Sequence, residues 1–270
     1  MGIFDGTLIL SDLDGTLLNS SAEISQGNID AIKYYMDNGG RFSFATGRNY
    51  TSMNYFYDTV PANAPAVTSN GAVIYDFASG NPLEIKPIGE LGEQIAAEAI
   101  RRFPDIGIEV MMADCIYLLK PDVITDMHIK YTKTSAFDGD FDTIPKPWVH
   151  LLITRDPATI HEVYDFISSE YQNRAFAQYS APYFLEVLIF GANKGTAARR
   201  IADLLGIGYD GLYTVGDGQN DVQLLSCTKN AFAPANAHDD IKKLCPNMLP
   251  DNNHDPIAAL VEHIEKTRKS

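Results

Sequence analysis

Two aspartates one residue apart, Asp12 and Asp14, are followed at once by Gly15 and Thr16. Alternate side chains of an extended chain point the same way, so both carboxylates can face one site. Two anions held that close repel unless a cation or a shared proton relieves them. A hard divalent cation with oxygen ligands meets that need. Three more polar clusters lie downstream. Thr46-Gly47-Arg48 joins a hydroxyl, a glycine amide and a cation. Lys194 stands between Asn193 and Gly195. Asp217, Asn220 and Asp221 add two carboxylates and an amide. Taken alone, Asp-x-Asp-Gly is also an ordinary Asp-rich turn closed by glycine. Asn70-Gly71, between two apolar runs, reads as a hairpin turn, and Asn70 is expected to be mainly structural.

A βα rhythm positions these clusters. Residues 8–10 are a short apolar run, expected as a buried parallel strand. Ser25 is the expected N-cap of a helix carrying Ile29, Ile32 and Met36, which stops at Gly39-Gly40. Residues 41–45 form a second strand that delivers Thr46-Gly47-Arg48, followed by a short helical stretch over 50–57. Strands at 65–69 and 72–75 flank Asn70-Gly71. From about Pro82 the rhythm changes. A helix at 90–102 precedes strand-like runs at 108–112 and 116–119 and a helix at 123–131. A polar connection over 132–147 then leads to a strand at 148–154, a helix at 158–169, and strands at 174–179 and 183–188. Helices alternating with paired strands predict an α+β unit with its helices over one face of its sheet. At 193–205 a helix restores the first rhythm. A strand at 212–215 then runs into the Asp217 cluster, and 222–225, 231–233, 239–244 and 257–266 close the chain. The expected fold is α/β: a Rossmann-like doubly wound parallel-sheet core over 1–82 and 187–270, with an inserted α+β domain over 83–186. In such sheets ligands bind at the carboxyl ends of the strands, where the four clusters would converge.

Composition narrows the function. A net charge of −14 over 270 residues disfavours a nucleic acid partner, because a phosphate backbone needs a basic surface. It leaves room for a small phosphorylated substrate at a locally positive site. Cys115, Cys227 and Cys245 form no CxxC and read as free thiols in a reducing compartment. With no apolar run of membrane-spanning length and no signal-like N-terminus, the expected location is the cytoplasm. The six histidines show no zinc spacing and are expected mostly at the surface or on helices.

DxDGT, a Ser/Thr after the second strand, a Lys opening a helix, and GDxxND occur here in that order. This constellation resembles the haloacid dehalogenase (HAD) superfamily of phosphohydrolases. The phrases ATGR, NGA, NKG and GDGQND resemble its Cof-like branch, subclass IIB, which carries a C2B-type cap between the second and third motifs. The resemblance implies a phosphatase that acts on small phosphorylated metabolites, such as sugar phosphates, through an aspartyl-phosphate. Asp12 would be the nucleophile, Asp14 the general acid and base, and Lys194 the cation serving Asp12 and the phosphate. Mg²⁺ would be held by Asp12, the Asp14 carbonyl and Asp217, with Asp221 beside it in direct or indirect contact. Thr46 and the Gly47 amide would donate to phosphate oxygens, and Asn220 would support the same group. Arg48 either touches substrate or pairs with a carboxylate at the cap hinge.

Two other readings stand beside this one. A phosphohexomutase needs a cationic cluster in the cap to hold a second phosphate, and Arg101, Arg102, Lys120, Lys130, Lys133 and Arg155 form no evident cluster in sequence. A catalytically silent sugar-phosphate-binding protein has no use for a poised nucleophile. Dehalogenation has no use for Asp14. The expected partners are a small phosphorylated metabolite and, at most, a second copy in a weak homodimer.

Overall fold

The computed structural model describes residues 2–132 and 134–269; Lys133 lies outside them. In chain order the first elements are β1 (Leu8–Ser11), α1 (Gln26–Asp37), β2 (Arg41–Phe44), α2 (Asn54–Thr59), β3 (Ala66–Thr68), β4 (Val73–Asp76) and β5 (Asn81–Ile85). Next come α3 (Glu90–Arg102), β6 (Gly107–Met111), β7 (Ile116–Lys120), α4 (Val123–Thr132), β8 (Ala136–Asp138), β9 (His150–Thr154), α5 (Ile160–Glu170), β10 (Ala175–Ala181) and β11 (Phe184–Ile189). The chain closes with α6 (Lys194–Leu204), β12 (Leu212–Val215), α7 (Val222–Ser226), β13 (Asn230–Pro234), α8 (Asp239–Leu244), β14 (Met248–Leu249) and α9 (Pro256–Lys269).

These elements fall into two compact units. The first comprises Met1–Thr46, Met53–Leu83 and Asn193–Ser270; the second comprises Gly47–Ser52 and Glu84–Ala192.

The first unit is built on a five-stranded sheet in the order β14-β13-β12-β1-β2, with every pair parallel. Alternation along β1 explains why both of its faces are buried. Ile9 packs with Phe42, Phe44 and Val215 against Ile32 and Tyr35 of α1 and Leu260 and Ile264 of α9. Leu8 and Leu10 face the opposite layer, with Ala197, Ala198 and Ile201 of α6. A sheet covered on both faces reads as continuous apolar runs rather than as alternation, as residues 8–10 do. Ser25 caps α1, its side chain accepting from the Asn28 N–H at 3.3 Å. The 69–72 segment joins β3 to antiparallel β4, so Asn70-Gly71 is a hairpin connection as expected.

The second unit carries a six-stranded sheet in the order β10-β11-β9-β6-β7-β8. Val110, Leu151, Ile153, Leu185 and Val187 point to one face, against α3 and α5. The helices do not all lie on that face. Ile129 of α4 packs with Met111 and Leu152 on the other, where His128 also meets Glu109. This second face is polar as well as apolar, and α4 supplies partners of both kinds. The 132–147 stretch, expected as a polar connection, holds the edge strand β8, which pairs parallel to β7. His150, on the strand expected at 148–154 and one of six histidines expected mostly at the surface or on helices, is fully buried on β9.

Candidate active site

β1 and β12 are neighbours in register, Ser11 opposite Val215, so the loops that leave them begin side by side. The Asp12 N–H continues the pairing by donating to the Val215 carbonyl at 2.9 Å. The chain then folds into a tight turn, and Gly15 takes φ +80°. Only a residue without Cβ fits there, because a Cβ would stand 2.5 Å from Asp217 Oδ2. Thr16 Oγ1 donates to Asp217 Oδ1 at 2.8 Å. The first motif is therefore bound directly to the fourth, and Thr16 is a site residue that charge-based reading passed over.

Lys194 is the first residue of α6. Its N-cap is Asn193, whose Oδ1 accepts from the Thr196 N–H at 2.8 Å, and Thr196 Oγ1 accepts from the Asn193 N–H at 3.3 Å in return. The Lys194 side chain is fully buried. Its Nζ donates to Asp12 Oδ1 at 2.6 Å and to Asp221 Oδ1 at 2.7 Å. Asp221 uses its second oxygen as well, accepting the Asp217 and Gly218 N–H groups at 3.0 Å each. One carboxylate thus holds both the ammonium and the loop that carries Asp217.

Oxygens of Asp12, Asp217 and Asp221 lie within 4.8 Å of one another. Charge has been packed more densely than one lysine can neutralise. Burial pushes the Asp12 carboxyl well above its ordinary range; the charges of Asp221 and Asp217 add to the rise, and Lys194 opposes it through its charge and its hydrogen bond without cancelling it. Burial, with Asp221 again, raises Asp217 to about 6. Burial alone would lower Lys194, but Asp12 and Asp221 outweigh it and hold the ammonium above its usual value. Oxygen donors carrying surplus negative charge fit a hard divalent cation. Asp14, half-buried, follows on the same turn.

Asn220 Nδ2 donates to Asn70 Oδ1 at 3.1 Å. Asn70 is fully buried at φ 52°, its N–H donates to the Thr46 carbonyl at 3.1 Å, and its Nδ2 has no protein partner. The hairpin residue therefore also lines the site and ties Thr46 to Asn220. Its local sequence matches a turn, so the second role was hidden. Gly47 and Arg48 fall in the second unit, on a segment where Asn49 Oδ1 accepts from the Ser52 N–H and Thr51 Oγ1, both at 3.0 Å.

Residues 9–261 match the family described as haloacid dehalogenase-like hydrolase. A protein of Buchnera aphidicola subsp. Schizaphis graminum, named only as a candidate phosphatase, is 28% identical over 266 residues, which cover 94% of each chain. Bacillus subtilis YitU, named a 5-amino-6-(5-phospho-D-ribitylamino)uracil phosphatase, is 22% identical over 94% of this chain and 96% of its own. Among solved structures, a haloacid dehalogenase-like hydrolase from Bacteroides thetaiotaomicron aligns with a TM-score of 0.83 at 23% identity, covering 96% of this chain and 99% of its own. The HAD subclass IIB sugar phosphatase BT4131 gives a TM-score of 0.84 at 18% identity, covering 95% and 98%. The doubly wound core is the fold these structures share with it. The chain belongs to the haloacid dehalogenase-like hydrolases.

Proposed function

We propose that this hydrolase is a Mg²⁺-dependent phosphatase of small phosphorylated metabolites, sugar phosphates among them, working through an aspartyl-phosphate on Asp12. The observation that carries the reading is the buried Asp12–Lys194–Asp221 bridge, with Asp217 alongside, at the carboxyl ends of parallel strands. The relatives named as phosphatases, one for a phosphoribityl compound and one for sugars, support the substrate class.

Asp12 attacks phosphorus, forming an Asp12 O–P bond as the ester P–O bond breaks. Asp14 gives its proton to the departing alkoxide, then takes one from the water that attacks phosphorus and frees Asp12. Lys194 spends two of its three N–H donors on Asp12 and Asp221, leaving the third for a phosphate oxygen. Thr46, the Gly47 amide and the Asn70–Asn220 pair are suited to the other oxygens, and Arg48 to the substrate. Asp12, Asp217 and the Asp14 carbonyl would hold Mg²⁺, which supplies charge neutralisation for an anionic nucleophile meeting an anionic phosphate. Asp221, with both oxygens engaged, would orient Lys194 and the Asp217 loop beside it.

Four of the cations that a mutase would turn to a second phosphate have protein partners. Arg101 and Arg102 pair with Glu98, Arg155 pairs with Asp105 and Glu162, and Lys120 donates to the Pro104 and Ile106 carbonyls. That distribution favours hydrolysis. The cysteines are unbridged, as suits a cytoplasmic protein. The second unit is the part proposed to choose the substrate. The test is phosphate release from a panel of phosphorylated metabolites with Mg²⁺, comparing wild type with Asp12→Asn. We expect release from a subset of sugar phosphates and a loss of about 10³-fold or more in the variant. Release that survives the substitution overturns the assignment.

A further inference from the structure

The loop that carries Asp12 and Asp14 and the loop that carries Asp217 leave adjacent strands, and the ladder that fixes the strands ends where the loops begin. A cation held by both loops requires their spacing to be set within a few tenths of an ångström. The turn after β13 supplies bonds to each of them. Asn236 Nδ2 donates to the Gly15 carbonyl at 2.7 Å. Two residues on, the His238 N–H donates to the Asp217 carbonyl at 3.0 Å. Asn236 is itself oriented, because its Oδ1 accepts the Asn252 N–H at 2.9 Å, which fixes which end of the amide faces Gly15. Asn252 in turn donates from Nδ2 to the Leu18 carbonyl at 2.8 Å, just past the same turn. The turn is kept tight by the Ala237 N–H bonding the Pro234 carbonyl, and Ala237 is buried beneath it.

We propose that Asn236 is a positioning residue for the cation, the pivot of a clamp that sets the distance between the Asp12–Asp14 loop and the Asp217 loop. It carries no charge and does not act as a ligand. Its amide holds the Gly15 carbonyl, and through Gly15, packed against Asp217, it holds the pocket that the two loops enclose. The inference rests on the cation reading given above and adds the residue that tunes it.

The test is calorimetric titration of metal-free protein with Mg²⁺, paired with the Mg²⁺-induced rise in melting temperature, for wild type, Asn236→Ala and Asn236→Asp. Asn236 is exposed, so the metal-free variants should melt close to wild type. We expect Asn236→Ala to weaken Mg²⁺ binding roughly tenfold, with KM for a phosphate ester at saturating Mg²⁺ unchanged. Asn236→Asp keeps the size and the Asn252 contact but sets an oxygen against the Gly15 carbonyl. It should weaken binding at least as much, despite adding negative charge. Equal Mg²⁺ affinity in all three proteins overturns the clamp. So does tighter binding in Asn236→Asp, which would mark a purely electrostatic role, or a lower metal-free melting temperature with unchanged affinity. Wild-type protein that binds no Mg²⁺ overturns the cation reading itself, and this inference with it.

Discussion

The charge balance of the site turns on Lys194. An ammonium taken wholly out of water loses its hydration and is retained only because two carboxylates receive it, here Asp12 and Asp221 at 2.6 and 2.7 Å. Lys194→Met strips both of their partner. We expect a loss of about 3–5 kcal/mol in denaturant unfolding, and a fall of about 10²-fold or more in phosphate release under conditions where the variant is folded. Asp12→Asn has the opposite effect on the metal-free protein, because it removes one of three crowded carboxylates. Its melting temperature in the presence of a chelator should equal or exceed that of wild type while activity collapses. Asp12, Lys194 and Asp217 stood out in the sequence because charge at fixed spacing has few other uses. Asn70, Thr16 and Asn236 did not. Each is an ordinary turn or helix-start residue locally and acquires its role from a partner at least 150 positions away.

At the scale of elements, the start of α6 must be held where Lys194 can reach two loops. Asn193 fixes it from within by capping, and Gly71 fixes it from outside. Gly71 has φ +93°, and a Cβ there would come within 2.2 Å of the Asn193 carbonyl oxygen. Gly71→Ala therefore strains the hairpin and pushes against the helix start together. We expect a loss on the order of 2 kcal/mol or more in denaturant unfolding, and a lower kcat in the fraction that folds. Asn193→Ala removes the cap alone and should cost about 1 kcal/mol. The helices were the readily legible elements, as at residues 90–102, because their apolar stripe repeats over several turns. The strands β5, β8 and β14 went unread. They are short and partly or wholly exposed, so they lack the burial that prints a pattern on a strand.

At the scale of the whole chain, two units have separate cores and different tolerance for charge. On the second unit's sheet, Glu109 is fully buried, with Oε2 on His128 Nδ1 at 2.8 Å and Oε1 without a protein partner. Burial raises its carboxyl above the usual range, only partly offset by His128, with Glu186 and Asp122 adding to the rise. The folded chain thus holds this proton more tightly than the unfolded chain. Stability is lost as pH rises through the raised value and regained on acidification. Glu109→Gln should raise the melting temperature at mildly alkaline pH, and the gain should shrink as pH falls toward the ordinary carboxylate range. The alternation from βα units to paired strands and back was legible in sequence; the burial of Glu109 and His150 was not, since a lone Glu or His on a strand reads as solvent-facing. Covalent catalysis by Asp12 is tested most directly by mixing the Mg²⁺-loaded protein with an ester it hydrolyses, quenching in acid within one turnover, and mapping phosphorylated peptides by mass spectrometry. We expect the phosphoryl group on the peptide that holds Asp12 and none in Asp12→Asn. Steady phosphate release with no phosphoryl group on Asp12, or with one that persists in Asp12→Asn, would contradict it.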